Sequence, residues 1–293
     1  METNNKNIVR LYDGHAGLMS LELDSGTSEM ASRAVEEMDL ETRKLPIIFY
    51  SRNGSALTRL ASFRKLVIDR ASLGKGEFLI STDESGPARL NGEPILGSLG
   101  TAMFLGIDFE LDLAHRKLNI FSPRHCKGSV VYWAKDWGSA PLFIGDTGNL
   151  YFPVELEHKR VQAGFSPGYR YSLLATDVSR RLYGFDASSE GVETVTGPDG
   201  EVKARYRAMR LTAASMEVKN TRIELVDPPG WANGKPSRFR CLLTARNWEA
   251  TGYSNCGNVV PMYLGRNLLE RLRFYFATSE RVVYFTLADT TTP

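Results

Sequence analysis

The chain repeats itself, and that repeat limits its fold more than any other feature. Ser98-Leu99-Gly100 opens a short helix-like stretch, followed by Ile107-Asp108-Phe109-Glu110-Leu111-Asp112 and Arg116-Lys117-Leu118-Asn119-Ile120-Phe121. Late in the chain Tyr263-Leu264-Gly265 opens another such stretch, followed by Leu272-Arg273-Phe274-Tyr275-Phe276 and Arg281-Val282-Val283-Tyr284-Phe285. Gly100 and Gly265, Phe109 and Phe274, and Arg116 and Arg281 share one offset, 265 − 100 = 165. A glycine, a strand residue and a basic turn residue held at one spacing mark a repeated supersecondary unit of helix and hairpin.

The starts of the two halves match more loosely. Ile8–Tyr12 and Leu18–Leu23 predict a hairpin that runs into Asp24-Ser25-Gly26-Thr27. Leu150–Leu156 and Arg160–Phe165 predict another, running into Ser166-Pro167-Gly168-Tyr169. Matching Asp24 to Ser166 gives an offset of 166 − 24 = 142 and leaves 165 − 142 = 23 extra residues in the second half, assigned to the polar stretch 227–258. Helical stretches follow over 29–40 and 173–183, with Ser28 and Asp177 as N-caps. Asn53-Gly54 and Asp199-Gly200 predict hairpin turns, one in each half. The chain thus reads as mostly β, with a first lobe over 1–121, a linker over 122–149 and a second lobe over 150–293.

Composition narrows the function. With 42% hydrophobic and 24% charged residues the 293-residue chain has enough apolar side chains for a core, which excludes disorder and collagen-like or coiled-coil structure. Lys+Arg 36 against Asp+Glu 34 gives +2, too balanced for the basic face that nucleic acid requires. The start, Met1–Asn7, is polar and no apolar run reaches the length of about 18 residues that a membrane helix needs, so neither an export signal nor a membrane anchor is expected. Cys126, Cys241 and Cys256 are too scattered for a disulfide framework or a zinc site; Cys241 and Cys256 are the closest pair for a bridge. The four histidines lack metal-ligand spacing, so no metal is expected.

Leu23-Asp24-Ser25-Gly26-Thr27, followed about 70 residues later by Leu99-Gly100 before a short helix, resembles the layout of aspartic proteases of the retropepsin and pepsin clan. The doubling resembles their single-chain, two-lobed members, bacterial tandem-lobe retropepsin-like proteins in particular, as do 109–115 and 123–133. The resemblance spans roughly residues 8–287 and implies an all-β, two-lobed pepsin/retropepsin-like fold with a cleft between lobes. It also implies an endopeptidase needing no cofactor, acting on a peptide or protein substrate as a monomer, in exported (periplasmic or secreted) proteins.

In that family each lobe supplies one Asp, and two carboxyls share a proton because both cannot ionise so close together; one then acts as acid and the other as base on water. The resemblance assigns Asp24 as the first lobe's catalytic carboxyl, Gly26 as the residue that lets the loops approach, Ser25 as a hydroxyl bonding across to the other lobe and Thr27 as the small hydroxyl residue beside the carboxylate. It places Asn53-Gly54 at the tip of a flap over the substrate. The second lobe departs from the pattern: Ser166 and Pro167, before Gly168, stand where an Asp and a hydroxyl residue are expected. Two functions follow, an aspartic endopeptidase centred on Asp24 or a non-catalytic protein that binds extended segments in the cleft. Gly164-Phe165-Ser166-Pro167-Gly168 also spells a nucleophile elbow, but Pro167 has no N–H for an oxyanion and all four histidines lie upstream. Asp146-Thr147-Gly148 reads as a linker turn.

Overall fold

The computed structural model describes residues 8–12, 16–50, 56–68, 71–82, 89–145, 148–196, 202–226, 231–232, 235–236 and 260–288. Two eight-stranded sheets form the lobes. The first runs in the order Ile8–Tyr12, Ala16–Glu22, Glu93–Gly100, Glu29–Ala31, Ala71–Ser81, Ala56–Ile68, Glu41–Tyr50, with Arg89–Leu90 beside Glu93–Gly100. The second begins with Phe143–Ile144 and then runs Leu150–Leu156, Lys159–Phe165, Met262–Leu264, Ser172–Ala175, Met216–Val226, Val202–Ala213, Val192–Thr196. The seven strands match place for place. In each lobe the third and sixth strands of that path also close on the same partners: Ala16–Glu22 runs parallel to Glu93–Gly100 as Lys159–Phe165 does to Met262–Leu264. Ile8–Tyr12 closes onto Ala56–Ile68 as Leu150–Leu156 closes onto Val202–Ala213.

A third sheet joins the lobes. Asp108–Asp112 and Lys117–Phe121 form one hairpin, Leu272–Ala277 and Val282–Leu287 another, and the two pair antiparallel through Phe109 and Phe276. Gly138–Pro141 adds a fifth strand against Val282–Leu287. The 165-residue repeat is the reason for this symmetry: Arg116 and Arg281 both turn their hairpins with φ of 57° and 56°, a left-handed conformation. One face of this sheet buries a stack of rings. Phe109 lies on Phe276 at 4.3 Å, Phe276 meets Phe165 at 4.8 Å and Phe104 meets Phe109 at 5.0 Å, all fully buried, so one apolar core runs through both lobes.

The helical stretches expected over 29–40 and 173–183 are corrected. Glu29–Ala31 and Ser172–Ala175 are strands, paired parallel to 79–81 and 223–226, and the helices begin later, at Ser32–Glu37 and at Thr176–Val178, which continues as the π-helical turn Ser179–Tyr183 to the expected end. Sheet pairing overrides the helical spacing of the apolar residues. Ser28 is not an N-cap, and Asp177 lies inside its helical turn. Cys241, Cys256, Asn53, Gly54 and Asp146 lie outside the described residues. Among the described residues no helix is long and apolar enough to cross a membrane.

Candidate functional site at the meeting of the two lobes

Each lobe delivers one tight turn to the interface by the same construction. A strand enters the turn, a second strand leaves it, and a Leu-Gly element packs beneath. The Gly100 N–H donates to Ser28 Oγ at 2.9 Å, and the Gly265 N–H donates to Ser172 Oγ at 3.0 Å. A Cβ on Gly100 would sit 2.3 Å from the Thr27 carbonyl oxygen, and one on Gly265 2.2 Å from that of Tyr171, so both glycines are required by close backbone approach. The helix starts are tied alike. Thr101 and Ala102 N–H groups donate to the Ser25 and Gly26 carbonyls; those of Arg266 and Asn267 donate to Tyr169 and Arg170.

These bonds fix the register between the lobes. Ser28 answers to Ser172 and Thr27 to Tyr171, an offset of 172 − 28 = 144. The entering strands agree: Leu21 pairs with Leu99 and Phe165 with Leu264, and 165 − 21 = 144. The offset of 142 read from Asp-Ser-Gly-Thr and Ser-Pro-Gly-Tyr is therefore two residues short. Gly168 stands level with Asp24, Tyr169 with Ser25, Arg170 with Gly26, and Ser166 with Glu22. Between these points and Gly265 the second lobe holds 165 − 144 = 21 extra residues rather than 23.

The two lobes nevertheless meet at Asp24. Ser166 Oγ donates to Asp24 Oδ2 at 2.7 Å. Ser166 is 1% exposed at the end of the strand Lys159–Phe165, its own N–H held by the Leu264 carbonyl, while Asp24 is half-buried on the turn. Ser166 thus reaches the carboxylate from two residues upstream of the pseudosymmetric position. Gly168, at that position, has no side chain and is exposed, with no atom within 4 Å of a Cβ built on it. Pro167 is buried.

Ser25 does not make the cross-lobe bond expected of it. Its hydroxyl lies 3.0 Å from Thr27 Oγ1, donates to the Thr27 carbonyl and accepts the Thr27 N–H, all within the turn. The reason is reach: the loop folds into a local Ser-turn that satisfies the hydroxyl first. The bond from the first-lobe Leu-Gly helix toward the second half comes instead from Thr101, fully buried, whose Oγ1 donates to the Gly148 carbonyl at 2.6 Å. Gly26 is buried and lies against Gly100 of its own lobe.

The second turn is tied to its own lobe. The guanidinium groups of Arg205 and Arg170 both lie over the Tyr171 ring, at 4.2 Å and 5.3 Å from its centre, and Arg205 pairs with Glu224 at 2.8 Å. Sequence reasoning missed this cluster as well as Ser28, Ser172 and Thr101; Ser28 and Ser172 could have been found as hydroxyls at matching places before each buried strand. Among the described residues no group of three or more His, Cys, Asp and Glu is placed to hold a metal ion.

No protein-family model matches the chain, and no curated protein sequence does. Solved structures match it in shape. Soybean basic 7S globulin is 8% identical with a TM-score of 0.52, over 98% of this chain and 92% of that one. Conglutin gamma, a basic 7S globulin from lupine seeds, is 11% identical with a TM-score of 0.49, over 95% and 90%. A retropepsin-like aspartic protease from Rickettsia conorii is 14% identical with a TM-score of 0.33, over 52% of this chain and 94% of that one. The relationship is one of fold: the chain has the all-β, two-lobed pepsin/retropepsin-like architecture.

Proposed function

We propose that the chain is a non-catalytic protein of aspartic-protease fold that holds an extended peptide or protein segment between its lobes, taken as 1–121 and 150–293 with 122–149 linking them. One observation carries this reading. The second lobe brings the Ser166 hydroxyl to Asp24, at 2.7 Å, and the residue level with Asp24 is glycine. A serine hydroxyl does not ionise near neutral pH, so Asp24 and Ser166 cannot divide a proton between acid and base as two carboxyls do. Ser166 acts as a donor that orients the carboxylate. An extended segment laid between two β lobes is held by main-chain hydrogen bonds, with side-chain pockets giving selectivity.

The competing reading, an endopeptidase in which Asp24 activates water, draws on the half-buried carboxylate and the well-bonded turn around it. One assay separates them. Unstructured casein and a library of quenched peptides are incubated with the protein and with Asp24→Asn from about pH 3 to 7, where carboxyl dyads work, with pepstatin as a control. The proposal expects no cleavage that depends on Asp24, together with saturable binding of a subset of the peptides. Cleavage abolished by Asp24→Asn overturns it.

A further inference from the structure

The outer face of the shared sheet carries a run of buried acids. Asp108, Glu110 and Asp112 project from one strand and are 0%, 0% and 1% exposed. Residues 122–137 form a strap whose His125 reaches Asp108 and whose Tyr132 reaches Glu110, while Asp112 is met by His115 of its own hairpin and by Arg273. Tyr132 donates to Glu110, Trp133 Nε1 donates to Thr286 Oγ1 at 2.8 Å, and Val130 packs with Tyr275, Ala277 and Tyr284. Arg273 answers Glu110 at 2.8 Å and lies over the Trp133 ring at 4.3 Å.

The first half of the strap is held to the sheet by the His125 side chain and, at its end, by the Gly128 backbone, which hydrogen-bonds the Tyr284 hydroxyl. His125 Nε2 bonds Asp108 Oδ2, and its Nδ1 faces the Cys126 carbonyl at 3.2 Å and Glu280 Oε1 at 3.3 Å. Every one of these partners is an acceptor. A neutral imidazole has one N–H and one lone pair, so one of its nitrogens would turn a lone pair onto an oxygen; the imidazolium, with two N–H groups, satisfies both sides. Glu280 Oε1 is buried and takes no hydrogen bond, so the adjacent positive charge is what compensates it. The other groups around the ring add no cation: Tyr275 meets it edge-on, Tyr284 donates to Glu280 Oε2, and the Thr278 N–H donates to Asp108 Oδ1. On the strap itself Arg124 and Lys127 are exposed.

We propose that His125 is a proton-operated latch: as the imidazolium it pins residues 122–127 across the shared sheet, and on losing its proton it releases them while the Gly128–Tyr284 bond and the packing of Val130–Trp133 persist. Burial by itself lowers the basicity of His125, but the Cys126 carbonyl, Asp108 and Glu280 together hold it above the ordinary value. A proton bound more tightly in the latched state stabilises that state fully below the ordinary histidine pKa of about 6.5 and is lost as pH rises through the raised value. The latch therefore closes in acid and opens in base.

Hydrogen exchange of a peptide covering 122–130, with rates corrected for the intrinsic effect of pH, tests this from about pH 5 to 9. Protection in the intact protein is expected to fall by up to about tenfold per pH unit above about 6.5 and then level off. His125→Gln should give low protection with no pH dependence, and Glu280→Gln should keep the acid-state protection but move the midpoint to lower pH. A peptide covering 159–165, remote from the strap in the second lobe, serves as the folding reference. Equal protection of 122–130 across the range, an unchanged pH response in His125→Gln, or a parallel loss at 159–165 would each overturn the latch.

Discussion

Removing the contact between Ser166 and Asp24 gives a direct measure of how the two lobes are joined. Hydrogen bonds to a charged group contribute about 1.5–3 kcal/mol when fully buried. Here the donor is 1% exposed but the acceptor is half-buried, so water replaces part of the interaction and the coupling should be about 1 kcal/mol. The single changes each remove more than this one bond: Ser166→Ala leaves a small void, and Asp24→Ala takes away every other interaction of the carboxylate. A double-mutant cycle of Ser166→Ala and Asp24→Ala cancels those contributions and leaves the pair. Urea unfolding of the four proteins, followed by intrinsic fluorescence, should show the double variant losing about 1 kcal/mol less than the two single losses combined, equivalent to about 2 °C in melting temperature for a chain of this size. Asp24→Asn, which keeps an acceptor oxygen, should retain part of the coupling. A coupling below about 0.3 kcal/mol, the scatter of independent sites, would refute the contact and with it the reading of Ser166 as the donor that orients Asp24.

Three further perturbations probe the same architecture. Ser28→Ala and Ser172→Ala each strand a buried glycine N–H, so the two should lose a similar amount, about 1–3 kcal/mol, in matched denaturation curves; a large loss at one site and none at the other would break the proposed register. Gly265→Ala drives a methyl group to 2.2 Å from the Tyr171 carbonyl and should reduce the yield of folded protein or cost several kcal/mol, whereas the methyl group of Gly168→Ala meets no atom within 4 Å and that variant should melt within about 1 °C of the parent. Burial, with help from Glu157, pushes the Tyr206 hydroxyl up to about 12, so the proton it keeps stabilises the fold below about pH 10 and that contribution is lost as pH rises toward 12. A tyrosinate absorbance titration should lose one late step in Tyr206→Phe; an unchanged late phase would exclude Tyr206 as its source.

The doubling of the fold was legible because its markers answer strict local demands. Gly100 and Gly265 sit where a Cβ meets carbonyl oxygens, and Arg116 and Arg281 turn with positive φ, so their spacing survives whatever happens around them. The offset of the catalytic-type turns was misread by two residues because Ser-Pro-Gly looks like Asp-Ser-Gly in letters, whereas the register is set by backbone bonds from Gly265, Arg266 and Asn267 that no side-chain pattern displays. Ser28 looked like a helix cap because it precedes an apolar run; the strand pairing of Glu29–Ala31 with 79–81 turns its hydroxyl to Gly100 instead. The acids of 108–112 carry the alternating pattern of a strand with one wet face. Asp108 and Glu110 are met by His125 and Tyr132 of the strap, a long-range event invisible in residues that read as a linker, and Asp112 by the neighbouring His115 and by Arg273.

The same contacts explain why the second turn can differ so far from the first without loss of the fold. A pair of turns that each present a carboxyl must keep small residues at their closest approach and tolerate like charges, which costs stability at the point where the lobes join. In this chain the Asp24 carboxyl accepts the Ser166 hydroxyl from the second lobe, an attractive bond at the point where the lobes join. Freed from packing against a matching partner, the second turn takes Arg170 and Tyr171 where the first has Gly26 and Thr27. Its anchorage comes from its own lobe, through the contacts of Arg170 and Arg205 with the Tyr171 ring and the Arg205–Glu224 pair. Gly168→Asp would supply a carboxyl at the level of Asp24, but neither the small residues of a matching turn nor release from that anchorage. The departure from a two-carboxyl site is therefore spread over Ser166, Gly168, Arg170 and Tyr171, and the binding reading follows from their joint arrangement rather than from the absence of one acid.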